Sequence, residues 1–343
     1  MAHLSNQKTI KSLAEHMGLS RTTVSRVLSG QAKRYRIGSE TEEAVIAEAA
    51  RLEIVPNKTA KSLKLQRTYS LGLIVPNIAN PFFGTLARYI EAEARKEGYT
   101  ILLCDSGESE MMEIELLGLL NSNNVDGVIA APIGLAGSHF KELHKQGKPV
   151  VIVDRYFSNI DLPFVTSDNY QASYEATEYL ITNGHRIIAC IQGFPGCGLT
   201  VDRVRGYKDA LKAYGIPEDN TLIVGNQFDQ HRGYIETKLL MKRNPRPTAI
   251  FSLGSSMAFG ALSAILEENL KVPEDISLIS FDEQPYFAYL ATPLTAIAQE
   301  NATMGEIAVK LLIDQIESKN DFANKSILLP TKFNIRKSVK NIS

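Results

Sequence analysis

No apolar run in the 343-residue chain approaches the roughly 18–20 residues that a bilayer crossing requires, so no membrane span is expected. The opening stretch, residues 1–12, has none of the apolar core of a secretory signal, and the expected location is the cytoplasm. Cysteine is scarce: Cys104, Cys190 and Cys197, with no Cys-x-x-Cys pair. An odd number without pairing spacing suits a reducing compartment. The cysteines read as buried free thiols: Cys104 and Cys190 lie in apolar, strand-like runs, and only for Cys197, in a Gly-rich loop, is exposure the alternative. Catalytic motifs are also missing. There is no Walker loop, no HExxH and no GxSxG. The glycines of Gly193-Phe194-Pro195-Gly196-Cys197-Gly198 have the wrong spacing for a dinucleotide fingerprint. His139 and His144 are five residues apart and would not share a helical face as metal ligands do. Without a nucleophile–base constellation, neither an enzyme, a metal nor a cofactor is expected. No internal repeat and no low-complexity tract is visible.

The bulk composition is that of an ordinary globular protein, with 44% hydrophobic and 22% charged residues. The length exceeds one ordinary core and suits a small module on a two-part body. The net charge of −1 conceals an asymmetry: residues 1–68 carry 12 Lys/Arg against 6 Asp/Glu, a charge of +6, and the rest of the chain carries −7. A basic head on an acidic body points to a polyanion-binding module.

Residues 9–53 read as three short helices. Ile10, Leu13, Ala14 and Met17 share one helical face, and Gly18 permits the left-handed turn that ends the helix. Ser20 is placed to cap a second helix whose inner stripe is Val24, Val27 and Leu28. Ser39-Glu40-Thr41-Glu42 has capping-box spacing and opens a third, with Val45, Ile46, Ala49 and Leu52 inside. Residues 57–66 are polar and basic, with Leu63 conspicuous among them, and read as a linker. The expected boundaries are a head over 1–56, a hinge over 57–68 and a body over 69–343. In the body, apolar runs at 71–76, 100–105, 127–132, 149–154, 186–193, 249–254 and 276–282 read as strands. Amphipathic stretches such as Phe83–Glu97 and Tyr170–Asn183 lie between them, the pattern of a parallel, doubly wound α/β body in two lobes.

A helix, a glycine turn and a second helix fit the major groove, which admits one helix and displays a distinct code for each base pair. Arg21, Thr22 and Thr23 lie in the first turn of that second helix, with Ser25 and Arg26 following. Arg21 suits either a guanine edge or a phosphate, and other three-helix packings share this pattern. The joint motif is more specific: T-I-x-x-L-A-x-x-x-G-L-S-x-x-T-V-S-R-V-L-S-G over 9–30, then LEIVPN at 52–57 and Ala60-Lys61-Ser62-Leu63-Lys64. It resembles the head of the lactose/galactose repressor (LacI/GalR) family of transcription regulators. The resemblance implies an all-α helix-turn-helix head, with Thr9, Ser20, Asn57, Ala60, Leu63 and Lys64 also at operator DNA. It further implies that Leu63, if it is more than a linker residue, wedges a minor-groove base step, where an apolar insertion offsets unstacking by bending the duplex. Residues 31–38 are longer and more basic than in the lactose or purine repressors and are similar to the fructose and sucrose branch, which adds Arg34, Tyr35 and Arg36 as phosphate contacts.

The body resembles the same family over 70–336, in SLGLIVPNIANPFF (70–83), VIVDR (151–155), Ser167-Asp168-Asn169, NGHRI (183–187) and ISLISFD (276–282). This implies a periplasmic-binding-protein-like α/β body of two Rossmann-like lobes joined by three crossings. The implied sugar contacts are Asn80, Phe82, Phe83, Asp154, Arg155, Arg203, Phe228, Asp282 and Gln299. Aromatic rings and charged side chains suit the apolar faces and adjacent hydroxyls of a carbohydrate. Plainer roles stay open: Phe83 in the core, Arg155 at an interface, Arg203–Asp282 as a structural ion pair, and Asp168-Asn169 as a helix cap. One departure stands out. Where many members have Asn-Asp after the strand matching AIFSL, this chain has Gly254-Ser255-Ser256, a helix start suited to an anion. Either a sugar or a sugar phosphate is therefore the expected effector. A single helix-turn-helix reads only a half-site, and the polar tail ending at Ser343 is not a leucine heptad. A homodimer on a two-fold operator is expected.

Overall fold

The computed structural model describes residues 9–28, 32, 35–52, 54, 67–157, 159–318 and 325–343. It divides into two compact units, Met1–Thr68 and Tyr69–Ser343. In the first, α1 (Ile10–His16), α2 (Arg21–Leu28) and α3 (Ser39–Arg51) enclose a small core of Leu13, Ala14, Val24, Val27, Val45, Ala49 and Ile54. Thr9 caps α1: its Oγ1 accepts from Ser12 N at 3.2 Å. Ser20 caps α2, accepting from Thr23 N at 3.0 Å, and Gly18 between them has φ +64°. Two expectations for α3 need correction. Its N-cap is Gly38 and no side-chain cap is made; the helix starts one residue early, so Ser39 sits at N1 and not at the cap. Ile46 is 50% exposed, because the buried stripe follows Val45 and Ala49 at i, i+4 and leaves residue 46 a hundred degrees around the helix.

The second unit contains two six-stranded sheets with matching strand orders. In the first lobe β1 (Ser70–Val75), β2 (Thr100–Asp105), β3 (Gly127–Ala130), β4 (Val150–Val153), β5 (Phe164–Ser167) and β11 (Ser326–Leu329) form the order β11-β5-β4-β3-β1-β2. In the second, β6 (Ile188–Ile191), β7 (Ile223–Val224), β8 (Ala249–Ser252), β9 (Ser277–Phe281), β10 (Thr295–Ala298) and β12 (Lys332–Asn334) form β12-β10-β9-β8-β6-β7. Neighbours are parallel except β12, which runs antiparallel to β10. The central strands are buried on both faces and carry unbroken Val/Ile/Leu runs, as a sheet covered by helices requires. The helices are α4 (Pro81–Lys96), α5 (Glu110–Ser122), α6 (Ser138–Lys145), α7 (Asn169–Thr182), α8 (Gly198–Ala213), α9 (Gln230–Met241), α10 (Ser255–Glu267) and α11 (Asn301–Ser318).

The chain passes between lobes after β5, after β10 and between β11 and β12. These crossings are bonded to one another: Ser167 Oγ donates to Gln299 Oε1 at 2.6 Å, and Asp168 N donates to Leu329 O at 2.8 Å. Close helix packing in the second lobe depends on Gly206 of α8, where a Cβ would lie 2.3 Å from Tyr170 O on α7. Among the described residues no helix is long and apolar enough to cross a membrane. Cys197 is 7% exposed and stands at the N-cap of α8, so the burial expected of the cysteines holds there and the exposed alternative does not.

Candidate effector cleft and DNA-binding surface

Two aspartates occupy equivalent places in the two lobes. Asp154 follows β4 and Asp282 follows β9, the third strand from the matching end of each sheet. Both have left-handed backbones, φ +60° and +67°, a costly conformation for a residue with a Cβ that is retained where a side chain must be aimed. Both lie at the carboxyl ends of parallel strands, where open α/β sheets bind ligands. Asp282 Oδ1 accepts from Gln299 Nε2 at 2.6 Å, and the same amide lies close enough to Asp154 to favour its ionised form. The crossing glutamine thus joins an acid from each lobe.

Arg203 projects from α8 and is 2% exposed. Its Nε donates to Asn169 Oδ1 and its Nη1 to Leu253 O, both at 2.7 Å. Its guanidinium lies 3.5 Å from the centroid of Phe281. Nη2 is left 4.0 Å from Asp282 Oδ1. Burial pulls the Arg203 pKa down more than Asp282 and Asp154 restore it, and among the described residues Nη2 has only that distant carboxylate oxygen. Burial likewise pushes Asp154 up to about 6, against the pull of Arg203. Arg155 differs: burial opposes its charge, but Glu108 overcomes that and raises its pKa. Arg155 Nη1 donates to Glu108 Oε2 at 3.2 Å. Around Arg155 stand the rings of Phe228, Phe83 and Phe194, with centroids 5.1, 5.6 and 5.9 Å from its Cζ. A polar floor with an aromatic wall can take hydroxyls on one side and C–H faces on the other.

Asp154, Arg155, Arg203, Asp282 and Gln299 therefore converge, with Phe83 and Phe228 against Arg155. Gly254 is next to Phe228: a Cβ there would lie 3.3 Å from its Cδ1. Phe82 packs into the first-lobe core, and Phe83 is part of that core as well as a neighbour of Arg155. Asn80 caps α4 by accepting from Phe82 N at 3.1 Å. Ser255 is buried, and its Oγ accepts from Gln284 Nε2 at 3.0 Å. Asp168 caps α7 as the sequence allowed, but Asn169 does more, because it holds Arg203. Glu108, Phe194 and Gln284 were missed. Asn169 was within reach from its place in the Ser-Asp-Asn run, whereas Glu108 has no local signal.

On the head, Arg21 and Thr22 are exposed and Thr23, Ser25 and Arg26 half-buried. The Arg26 guanidinium stacks 3.8 Å from the Tyr35 ring centroid, and Arg36 is exposed with φ +54°. Arg34, Asn57, Ala60, Leu63 and Lys64 lie outside the described residues.

The body is thus that of a two-lobed small-ligand receptor, with a charged, aromatic-walled site between lobes of matching topology. Residues 68–337 match the family model described as periplasmic binding proteins and sugar binding domain of the LacI family. The chain is 33% identical to the ribose operon repressor of Halalkalibacterium halodurans over 97% of each chain. A LacI family regulator from Enterococcus faecium with bound ribose superposes with a TM-score of 0.71 at 32% identity, covering 80% of this chain and 100% of that one. The complex of the transcriptional regulator CelR with cellobiose gives 0.73 at 28% identity, covering 96% and 99%. The protein belongs to the LacI family of transcription regulators.

Proposed function

We propose that the protein is a homodimeric repressor whose helix-turn-helix head, within 1–56, binds a two-fold operator, and whose affinity for that operator is set by a small neutral sugar held between the lobes. Arg21, Thr22 and Thr23 meet base edges. Ser25, Arg26, Tyr35 and Arg36 follow the backbone, and the segment 57–68 is the hinge. The head charge of +6 supports this assignment. The exposed first turn of α2 supports it as well.

The observation that carries the effector reading is the under-compensated Arg203 beside the paired aspartates. A vicinal diol supplies acceptors to the guanidinium and donors to Asp154 and Asp282 at once. The charge pattern favours a free sugar over its phosphate. Arg155 already has Glu108, Arg203 faces two acids, and the Ser255 hydroxyl at the start of α10 is engaged by Gln284. A ribose-like aldopentose fits best, given the ribose operon repressor relative and the ribose-bound neighbour. Calorimetry with D-ribose and D-ribose 5-phosphate tests this. Binding of the free sugar alone, or tenfold better, is expected; preference for the phosphate overturns the neutral-sugar reading.

A further inference from the structure

The lobes also touch beside the cleft, at the N-terminal end of α8. Tyr156 follows Asp154 and Arg155 in the loop after β4. Its ring stacks on Phe164 of β5, with centroids 4.6 Å apart and planes 10° from parallel, so the first lobe fixes its direction. Its hydroxyl donates to Asp202 Oδ2, in the first turns of α8 on the second lobe. The other oxygen of Asp202 faces Arg205 Nη2 at 2.9 Å. The contact is close: a Cβ on Gly198 would lie 2.7 Å from Tyr156 O and 3.0 Å from its Cζ. Nearby, Leu135 of the first lobe reaches Gly196, where a Cβ would stand 3.6 Å from Leu135 Cδ1.

Asp202 and Arg203 are consecutive on α8, about 100° apart around the helix. One side chain reaches the first lobe directly, and the other enters the cleft. Burial and the neighbouring Asp202 both raise the Tyr156 pKa, so the phenol keeps its proton and remains a donor at neutral pH.

We infer that Tyr156 and Asp202 form an interlobe clasp, a hydrogen bond made only while the lobes are closed, which sets how firmly the effector is held. The consequence for affinity rests on the effector assignment above; the clasp itself does not. A contact present in one of two states biases the equilibrium by its whole net worth, and for a hydrogen bond to a charged group that is about tenfold.

Tyr156→Phe keeps the stack on Phe164 and removes the donor, and Asp202→Ala removes the acceptor. Small-angle scattering of the sugar-free protein is expected to show a larger radius of gyration for each. The double variant should be no more open than either single one, because both delete the same bond. Gly198→Ala drives a Cβ at the Tyr156 carbonyl and should open the body with both clasp residues present. D-ribose calorimetry should show about tenfold weaker binding in each single variant and no further loss in the double. Unchanged scattering in both single variants, or losses that add in the double, would overturn the clasp. Failure of the wild-type protein to bind ribose would overturn the effector assignment alone, and the scattering would still decide the clasp.

Discussion

Asp154 has an ordinary carboxylate's chemistry in an unusual setting, and a pH dependence follows. Burial raises its pKa from 3.8 to about 6, with Asp282 adding to the rise and Arg203 opposing it. The folded protein therefore keeps this proton up to about pH 6, while the unfolded chain releases it near pH 4. Between those values the folded state binds more protons, so the stability Asp154 contributes falls as pH rises and stays lost above about 6. Effector binding moves the other way, because the ionised carboxylate is the better acceptor for a hydroxyl. Sugar affinity should fall roughly tenfold per pH unit below 6, and Asp154→Asn should abolish that slope. Calorimetry between pH 5 and 7.5 checks this; a wild-type affinity flat across the range contradicts it. At this scale the resemblance carried what a strand end or a helix motif could mark: Asp154, Arg203 and Asp282. Glu108 and Phe194 reach Arg155 only through long-range folding, and no local pattern in the sequence announces such a meeting.

Elements were legible in proportion to the length of their apolar runs, not to their burial: β2 is largely exposed and was legible, whereas β5 and β10 are buried and were not. The seven long apolar runs all contain strands, and the two amphipathic stretches match α4 and α7 to within two residues at each end. The remaining strands, β5, β7, β10, β11 and β12, have two to four residues. β7 is only two residues long, and the other four mix Thr, Ser, Lys or Asn into their runs, so neighbouring strands specify them more than their own composition does. β2 tells the most about assembly. It is the outer strand of its sheet, yet Leu102 and Leu103 are exposed on it. Adjacent α5 exposes Met111, Met112, Ile114 and Leu119 while tying Glu113 inward to Ile133 N and His139 Nε2, both at 2.8 Å. An exposed apolar strip of this kind marks an interface, and burying the remaining exposed part of each half-buried side chain stabilises by about 1 kcal/mol. In the proposed homodimer this strip is the subunit interface. Leu103→Asp combined with Met112→Asp should halve the sedimentation mass with circular dichroism unchanged; a persistent dimer would place the interface elsewhere.

Across the whole molecule the organising facts are a duplicated body and a divided charge. The charge was countable directly, +6 before residue 69 and −7 after it. Two similar lobes were expected from the strand–helix alternation and from the resemblance; that the two sheets share one strand order and set Asp154 opposite Asp282 is a property of the fold. Three bonded crossings beneath the cleft tie the lobes together, and on the proposed function sugar and operator bias one closure of those lobes. Two ligands acting on one equilibrium must affect each other equally. The most direct test is fluorescence anisotropy with a DNA fragment from upstream of the protein's own gene, titrated with and without D-ribose, alongside ribose calorimetry with and without that DNA. The account predicts that ribose changes operator affinity at least fivefold and that operator changes ribose affinity by the same factor in the same direction. Tight ribose binding that leaves operator affinity unchanged would contradict it.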